Sequence, residues 1–223
     1  MTKRELQSVR DWCRDERIDC LYFLADPADA EGSCRLEEQG FRQVDMRVTL
    51  KRSGAVPPIP LPLQRGRVRP FSESDLDGLR EIARTNHRNT RFHNDGHFPP
   101  SLCDALYERW IENSCRGQAD RVFVAEWDGR PAGYITCHRE ISKEGRIGLF
   151  AVERRARGQG LGAGLLRDAI EWFQSEAVTD IHVATQGSNE PAQRAYRKQA
   201  FLVESVRAWF HYWPRLAESH SPR

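Results

Sequence analysis

No stretch of the chain approaches the ~20 consecutive apolar residues of a membrane-spanning helix, and residues 1–14 mix acids with bases where a secretory leader would set a basic stretch before an apolar one. No membrane insertion is expected, and the expected compartment is cytoplasmic. An excess of one charge is missing too: 34 Lys+Arg stand against 32 Asp+Glu. The basic runs at 14–17 and 65–69 are short and interspersed. A nucleic-acid binder would gather its positive charge on one face, so nucleic acid is not an expected partner. The six cysteines (Cys13, Cys20, Cys34, Cys103, Cys115, Cys137) form no C-x-x-C pair and adjoin no histidine at zinc-ligand spacing. No metal site is expected, and the thiols read as reduced and inert. With 39% hydrophobic residues the chain can build a core. Its 223 residues exceed the ~100–150 of a usual domain, so one full domain and a smaller unit are expected.

Residues 1–52 read as a small α/β unit, with a helix over 3–16, a strand over 20–24, a helix over 27–39 and a strand from 41 to 50. In that last segment Val44, Met46, Val48 and Leu50 alternate with Gln43, Asp45, Arg47 and Thr49, the period of a half-buried strand. Residues 53–70 hold Pro57, Pro58, Pro60, Pro62 and Pro70, too many to serve a sheet ladder. The spacing predicts a linker at 53–65, a main domain at 66–214 and a tail at 215–223. Within the main domain, Ser72-Glu73-Ser74-Asp75 fits a capping box opening a helix to about 84, and 85–100 reads as a loop. A helix over 102–115 precedes strands at 121–127, 131–139 and 145–152, with Asp128-Gly129 as a hairpin turn. A helix at 160–175, a strand at 180–185, a helix at 189–199 and a strand at 201–213 complete the order. Trp209 and Trp213 on the final strand read either as a homodimer interface or as core. Residues 18–50 repeat the element order of residues 179–211, and Gln39-Gly40-Phe41 aligns with Gln199-Ala200-Phe201, with Leu36 at the place of Tyr196. This is either a duplicated unit or the common look of two β-α-β pieces.

The most informative stretch runs from Leu149 to Ile170. A strand ends at Val152, a charged turn follows, and Gly158-Gln159-Gly160-Leu161-Gly162 opens a helix. Glycines at a helix start let backbone N–H groups approach an anion, and the helix dipole adds positive potential there. A pyrophosphate cradle is the chemistry this pattern suits, with Arg155 and Arg157 adding charge beside it. Gly158-x-Gly160-x-x-Ala163 formally meets the dinucleotide fingerprint, with Asp180 about twenty residues on. Five mostly charged residues between strand and first glycine, and antiparallel hairpins upstream, argue against that fold.

Arg155-x-x-Gly158-x-Gly160 resembles the Q/R-x-x-G-x-G/A signature of the GNAT acyltransferase superfamily. Asn189-Glu190-Pro191-Ala192-Gln193-Arg194-Ala195-Tyr196, followed by Gln199-Ala200-Phe201, is similar to that family's second signature. The two cover about residues 66–213. The resemblance implies an α+β fold: a mixed, mainly antiparallel sheet splayed between two parallel strands, flanked by helices and preceded here by a truncated α/β unit. It implies acetyl-CoA as acyl donor, with Leu149, Phe150, Ala151 and Val152 offered to the pantetheine arm. Arg157, Gly158, Gln159, Gly160, Leu161 and Gly162 would hold the pyrophosphate, and Asn189 would contact the cofactor or cap the helix it precedes. Tyr196 matches the position that protonates the departing thiolate, or else fills the core. Thr90-Arg91-Phe92, Phe98-Pro99 and residues 110–117 resemble the branch of the family that acetylates TDP-fucosamine, which implies a nucleotide-sugar acceptor; the alternatives are another small amine, a protein amine, or a CoA-binding interaction module without catalysis.

The implied mechanism is direct attack by a neutral amine, with both reactants held together. A β-bulge at Phe150 and Ala151 would aim a backbone N–H at the thioester oxygen. Asp45, His93, Asp95 and His97 are candidates to take the amine proton, and Arg91 with Asp45, His93 and Asp95 is a candidate for contact with the acceptor. Nothing near Cys115 or Cys137 would activate a thiol for a covalent route.

Overall fold

The computed structural model describes residues 2–60 and 66–215. Helix α1 (Lys3–Asp15) opens on a reciprocal capping box, in which the Thr2 hydroxyl accepts from the Glu5 N–H and the Glu5 carboxylate accepts from the Thr2 N–H. Strand β1 (Leu21–Ala25), helix α2 (Ala30–Glu38) and strand β2 (Phe41–Ser53) follow. Next come β3 (Arg67–Pro70), α3 (Leu76–Asn86), α4 (Arg91–Asp95), α5 (Pro100–Asn113), β4 (Arg121–Trp127), β5 (Arg130–Arg139) and β6 (Glu144–Val152). The chain then forms α6 (Leu161–Ser175), β7 (Asp180–Gln186), α7 (Glu190–Lys198) and β8 (Leu202–Tyr212).

Among the described residues eight strands form one sheet in the order β1-β8-β2-β7-β6-β5-β4-β3. Every pairing is antiparallel except β6 with β7. The mixed, mainly antiparallel α+β architecture expected from the sequence is therefore the one observed. The sheet also runs across the proline-rich segment: β2 lies between β7 and β8, bonded to both. Whether residues 1–52 fold by themselves is a proposal that shared sheet makes testable.

Three apolar clusters hold the layers. Leu161, Leu165, Leu166, Ala169, Ile170 and Phe173 of α6 pack on one face of the central strands. On the opposite face α3 and α5 cover Val122, Val124 and Tyr134. Leu6, Cys13 and Leu36 of α1 and α2 cover Phe41, Ala208, Phe210 and Tyr212. Burial of this kind contributes ~25 cal/mol per Å² of apolar surface.

Two expectations are corrected. The segment expected as a loop at 85–100 contains α4, because Phe92 turns into the core beside α5. The proline-rich run 53–70, expected to serve no sheet ladder, ends in β3, which pairs with β4 at the edge of the sheet. At that sheet edge Pro70 needs no ladder donor. Residues 61–65 of the expected linker and 216–223 of the expected tail lie outside the described residues.

The register reveals an internal two-fold relation. Shifting by 160 positions carries Asp29 to Asn189 and Phe41 to Phe201, and it turns the Ala25↔Ala208 pairing into Val48↔Thr185. Between β2 and β8 it turns Met46↔Ala208 into Val48↔Val206 and leaves Arg47↔Arg207 unchanged. The extra residue between Gln43 and Asp45 is matched by one between Val203 and Ser205. A chance likeness of two β-α-β pieces would not reproduce a bulge, so the repeated element order is a structural repeat.

Candidate acetyl-donor cleft and acceptor face

β6 and β7 are paired only from Glu144↔Asp180 to Ile147↔Val183. Beyond Ile147 they part, and among the described residues Leu149, Phe150, Ala151 and Val152 have no ladder partner on the β7 side. A cleft of about 580 Å³ opens there, lined by Phe150, Ala151, Val152, Gly158, Asn189 and Ala195 among others. Of the sequence-predicted cofactor residues, Arg157, Gly160, Leu161 and Gly162 also line it, while Leu149 and Gln159 do not.

The glycine turn is shaped by backbone freedom. Gly158 and Gly160 stand at φ +80° and +79°, a region that favours glycine, and Gly160 caps α6 without any side chain over the helix end. A Cβ on Gly162 would meet the Phe150 ring at 3.3 Å. The turn thus leaves the first N–H groups of a 15-residue helix accessible from the cleft. Arg157 donates to neutral acceptors, the Val152 carbonyl (3.2 Å) and the Asn86 side chain (3.0 Å), and meets no carboxylate among the described residues. Arg155 is paired with Glu153 at 2.7 Å. The residues present fit a pyrophosphate.

Asn189 caps α7 by accepting from the Ala192 N–H (3.3 Å), and its amide donates to the Thr185 hydroxyl (3.2 Å). The capping alternative is therefore real, and it does not remove the side chain from the cleft wall. Tyr196 is buried, its ring 5.8 Å from that of Phe150 and 5.7 Å from that of Phe201. Burial raises its pKa well above the ordinary tyrosine value, so the phenol stays protonated. The expected bulge is present but displaced: Ile135 opposes Phe150 and Cys137 opposes Ile147, so the extra residue falls at Gly148–Leu149. The Leu149 N–H donates to the Thr136 hydroxyl at 2.8 Å.

The other face of the sheet carries the remaining candidates. Arg91 lies 4.1, 4.2 and 4.2 Å from the ring centroids of Tyr22, Phe92 and Trp209, and donates to His211 Nε2 at 3.0 Å. His211 Nδ1 donates to Asp95, which also accepts from His97 (2.6 Å) and Trp213 (3.1 Å). Asp95 is thereby a buried lock between α4 and β8. Cys20, Asp95 and His211 are near enough to share an ion, but the carboxylate and both ring nitrogens of His211 are already engaged. His93 accepts from the Thr90 hydroxyl (2.9 Å) and donates to Asp104 (3.1 Å). Asp45 sits apart from that lock, opposite Trp209 on β8; burial raises its pKa and the Arg91 charge opposes the rise. Trp209 and Trp213, read as interface or core, are engaged within the chain.

Sequence reasoning missed His87. It lines the cleft, stacks on Tyr107 at 4.7 Å and bonds the Tyr134 hydroxyl at 2.8 Å, while burial lowers its pKa to about 4. The available signal was the polar run Asn86-His87-Arg88-Asn89 straight after a helix; Asn89 donates to the Ser188 hydroxyl (2.9 Å) at the cleft. Burial pushes the Cys20 and Cys115 thiols up to about 12, which disfavours a nucleophilic thiolate.

Residues 78–201, more than half of the chain, match the acetyltransferase (GNAT) family model. The dTDP-fucosamine acetyltransferase of Escherichia coli O6:H1 (strain CFT073) is 30% identical over 141 residues, 62% of this chain and 60% of that protein. The spore coat polysaccharide biosynthesis protein SpsD of Bacillus subtilis (strain 168) is 25% identical over 65% of this chain and 50% of its own length. The chain thus spans about half to three-fifths of these relatives. A GCN5-related N-acetyltransferase from Sphaerobacter thermophilus superposes with a TM-score of 0.72 at 19% identity, covering 94% of this chain and 66% of that one. A tandem GNAT protein from the clavulanic acid biosynthesis pathway gives 0.64 at 15% identity, covering 96% and 68%. The last two likenesses concern the fold alone. With the splayed parallel pair, the glycine turn and the family match in agreement, the chain belongs to the GNAT acetyltransferase family.

Proposed function

We propose that this chain transfers the acetyl group of acetyl-CoA, the acyl donor of its family, directly to the 4-amino group of a nucleotide-linked amino-dideoxy sugar. The observation that carries the transfer is the cleft itself, which runs from the glycine turn at Gly158–Gly160 to the gap between β6 and β7. The amino-sugar acceptor is supported by the two relatives, one a dTDP-fucosamine acetyltransferase and the other a spore coat polysaccharide biosynthesis protein.

In this reading the turn from Arg157 to Gly162 holds the pyrophosphate, and the free edge of Leu149–Val152 lines the arm. Tyr196 gives its proton to the departing sulfur; an ordinary thiol pKa near 8.5 makes a thiolate a fitting acceptor. Asp45 takes the amine proton, its raised pKa making it a stronger base than a solvated carboxylate. Holding both reactants in one complex replaces a covalent intermediate.

The test is thiol release from acetyl-CoA with TDP-4-amino-4,6-dideoxygalactose, its gluco epimer and simple amines offered in parallel. Release that depends on the nucleotide sugar is the expected result. Equal release with simple amines would move the acceptor to another class.

A further inference from the structure

The two-fold relation has one fixed point, the cross-strand pair Arg47↔Arg207. Two arginines directly opposite each other in an antiparallel pair repel, so this arrangement costs the fold stability. Met46, Val48 and Ala208 alternate with them and turn into the apolar clusters. Arg47 and Arg207 therefore project to the other face, with Asp45, Thr49, Ser205 and Trp209. Across β7, Arg47 is paired with Gln186, a residue of the cleft wall. Arg91 stands over Trp209 on the same face.

The charge on this face is not balanced from within. Arg47 has no carboxylate partner among the described residues, and Arg91 donates to a neutral histidine nitrogen. Arg207 meets Asp26 at 3.4 Å, an exposed pair of the kind that contributes little. Asp45 lies on the same face; burial raises its pKa, and the Arg91 charge acts against that rise.

Resting on the proposed nucleotide-sugar reading, we infer that the Arg47–Arg207 pair binds the diphosphate of the acceptor. Facing residues of an antiparallel pair lie ~4.5–5.5 Å apart at Cα, which lets two guanidinium forks bracket adjacent phosphates. Arginine forks match phosphate oxygens two at a time. Trp209, two residues along β8 from Arg207 and on the same face, offers ring surface for the apolar parts of the ligand. One arginine comes from each copy of the repeat, so the N-terminal unit supplies half of the acceptor subsite.

The experiment is calorimetric titration of the full chain with thymidine 5′-diphosphate, with CoA already saturating so that the glycine turn is filled. The variants are Arg47→Gln, Arg207→Gln and the double variant, with Arg47→Lys as partial rescue. The double variant should bind at least tenfold more weakly, keep CoA affinity within twofold, and melt no lower than wild type because repulsion is relieved. Inorganic diphosphate should compete in wild type and lose its effect in the double variant. Equal binding in wild type and double variant, or binding abolished by CoA in wild type, would overturn the inference. Nucleotide-sugar turnover with unchanged KM in the double variant would overturn it while leaving the proposed function standing. Turnover of simple amines without any diphosphate binding would remove both.

Discussion

Asp29 and Asn189 cap equivalent helices 160 positions apart, with φ/ψ of −82°/76° and −84°/64° and side chains that each accept from the N–H three residues on. Only the second cap faces a splayed strand pair, since β1 has β8 on one side and lies at the sheet edge. The same local chemistry therefore sits at a cofactor cleft in one copy and under a structural helix in the other.

Tyr196→Phe keeps the ring among Phe150 and Phe201 and removes only the phenolic proton. We expect kcat to fall at least about tenfold with CoA affinity within about threefold, the pattern of an interaction made in the transition state. Steady-state kinetics beside calorimetry would check it, and unchanged turnover would remove Tyr196 from the chemistry.

Gly160→Asp places a side chain and a negative charge at a residue with φ +79° that caps α6. CoA binding should be lost from calorimetry while the circular dichroism spectrum is retained. Normal binding would show that the pyrophosphate lies elsewhere.

His87 is buried with its pKa lowered to about 4, against about 6.5 when unfolded. Between those values the unfolded chain binds the additional proton, so stability is complete above pH 6.5 and declines as the pH falls toward 4. The decline is on the order of 3 kcal/mol for this group, and His138 and His211, also lowered, act in the same direction. Urea denaturation across pH 4–7 should show a shallower slope for His87→Gln; an identical slope would place the titration in other groups.

Arg52 is almost fully buried and donates to the carbonyls of Gln199 (2.7 Å), Ser53 (3.0 Å), Val56 (2.6 Å) and Pro57 (2.7 Å). It ties β2 and the start of the proline-rich segment to the turn before β8. Arg52→Ala should destabilise by about 3 kcal/mol, because the buried Gln199 carbonyl and the part-buried carbonyls of Ser53 and Pro57 lose their guanidinium donor, while Val56 keeps the Gln174 amide. A loss below about 1 kcal/mol in urea denaturation would mean that water replaces the guanidinium without penalty.

Features that rest on neighbours along the chain were legible from the residues alone. Glycines at 158 and 160 permit a positive φ, Asn189 caps its own helix, and the alternation from Gln43 to Leu50 places Asp45 and Arg47 on one face of a strand. The short helix Arg91–Asp95 was not legible, because it is held by Phe92 entering the core and by Asp95 bonding residues more than a hundred positions away. His87 escaped notice for the same reason: its burial is supplied by Tyr107 and Tyr134, from other elements. The insertion of β2 between β7 and β8, which brings Arg47 opposite Arg207 and beside Gln186, is fixed by long-range packing. Strand register is set by long-range pairing and burial on both faces, and no local pattern encodes which strand will lie alongside.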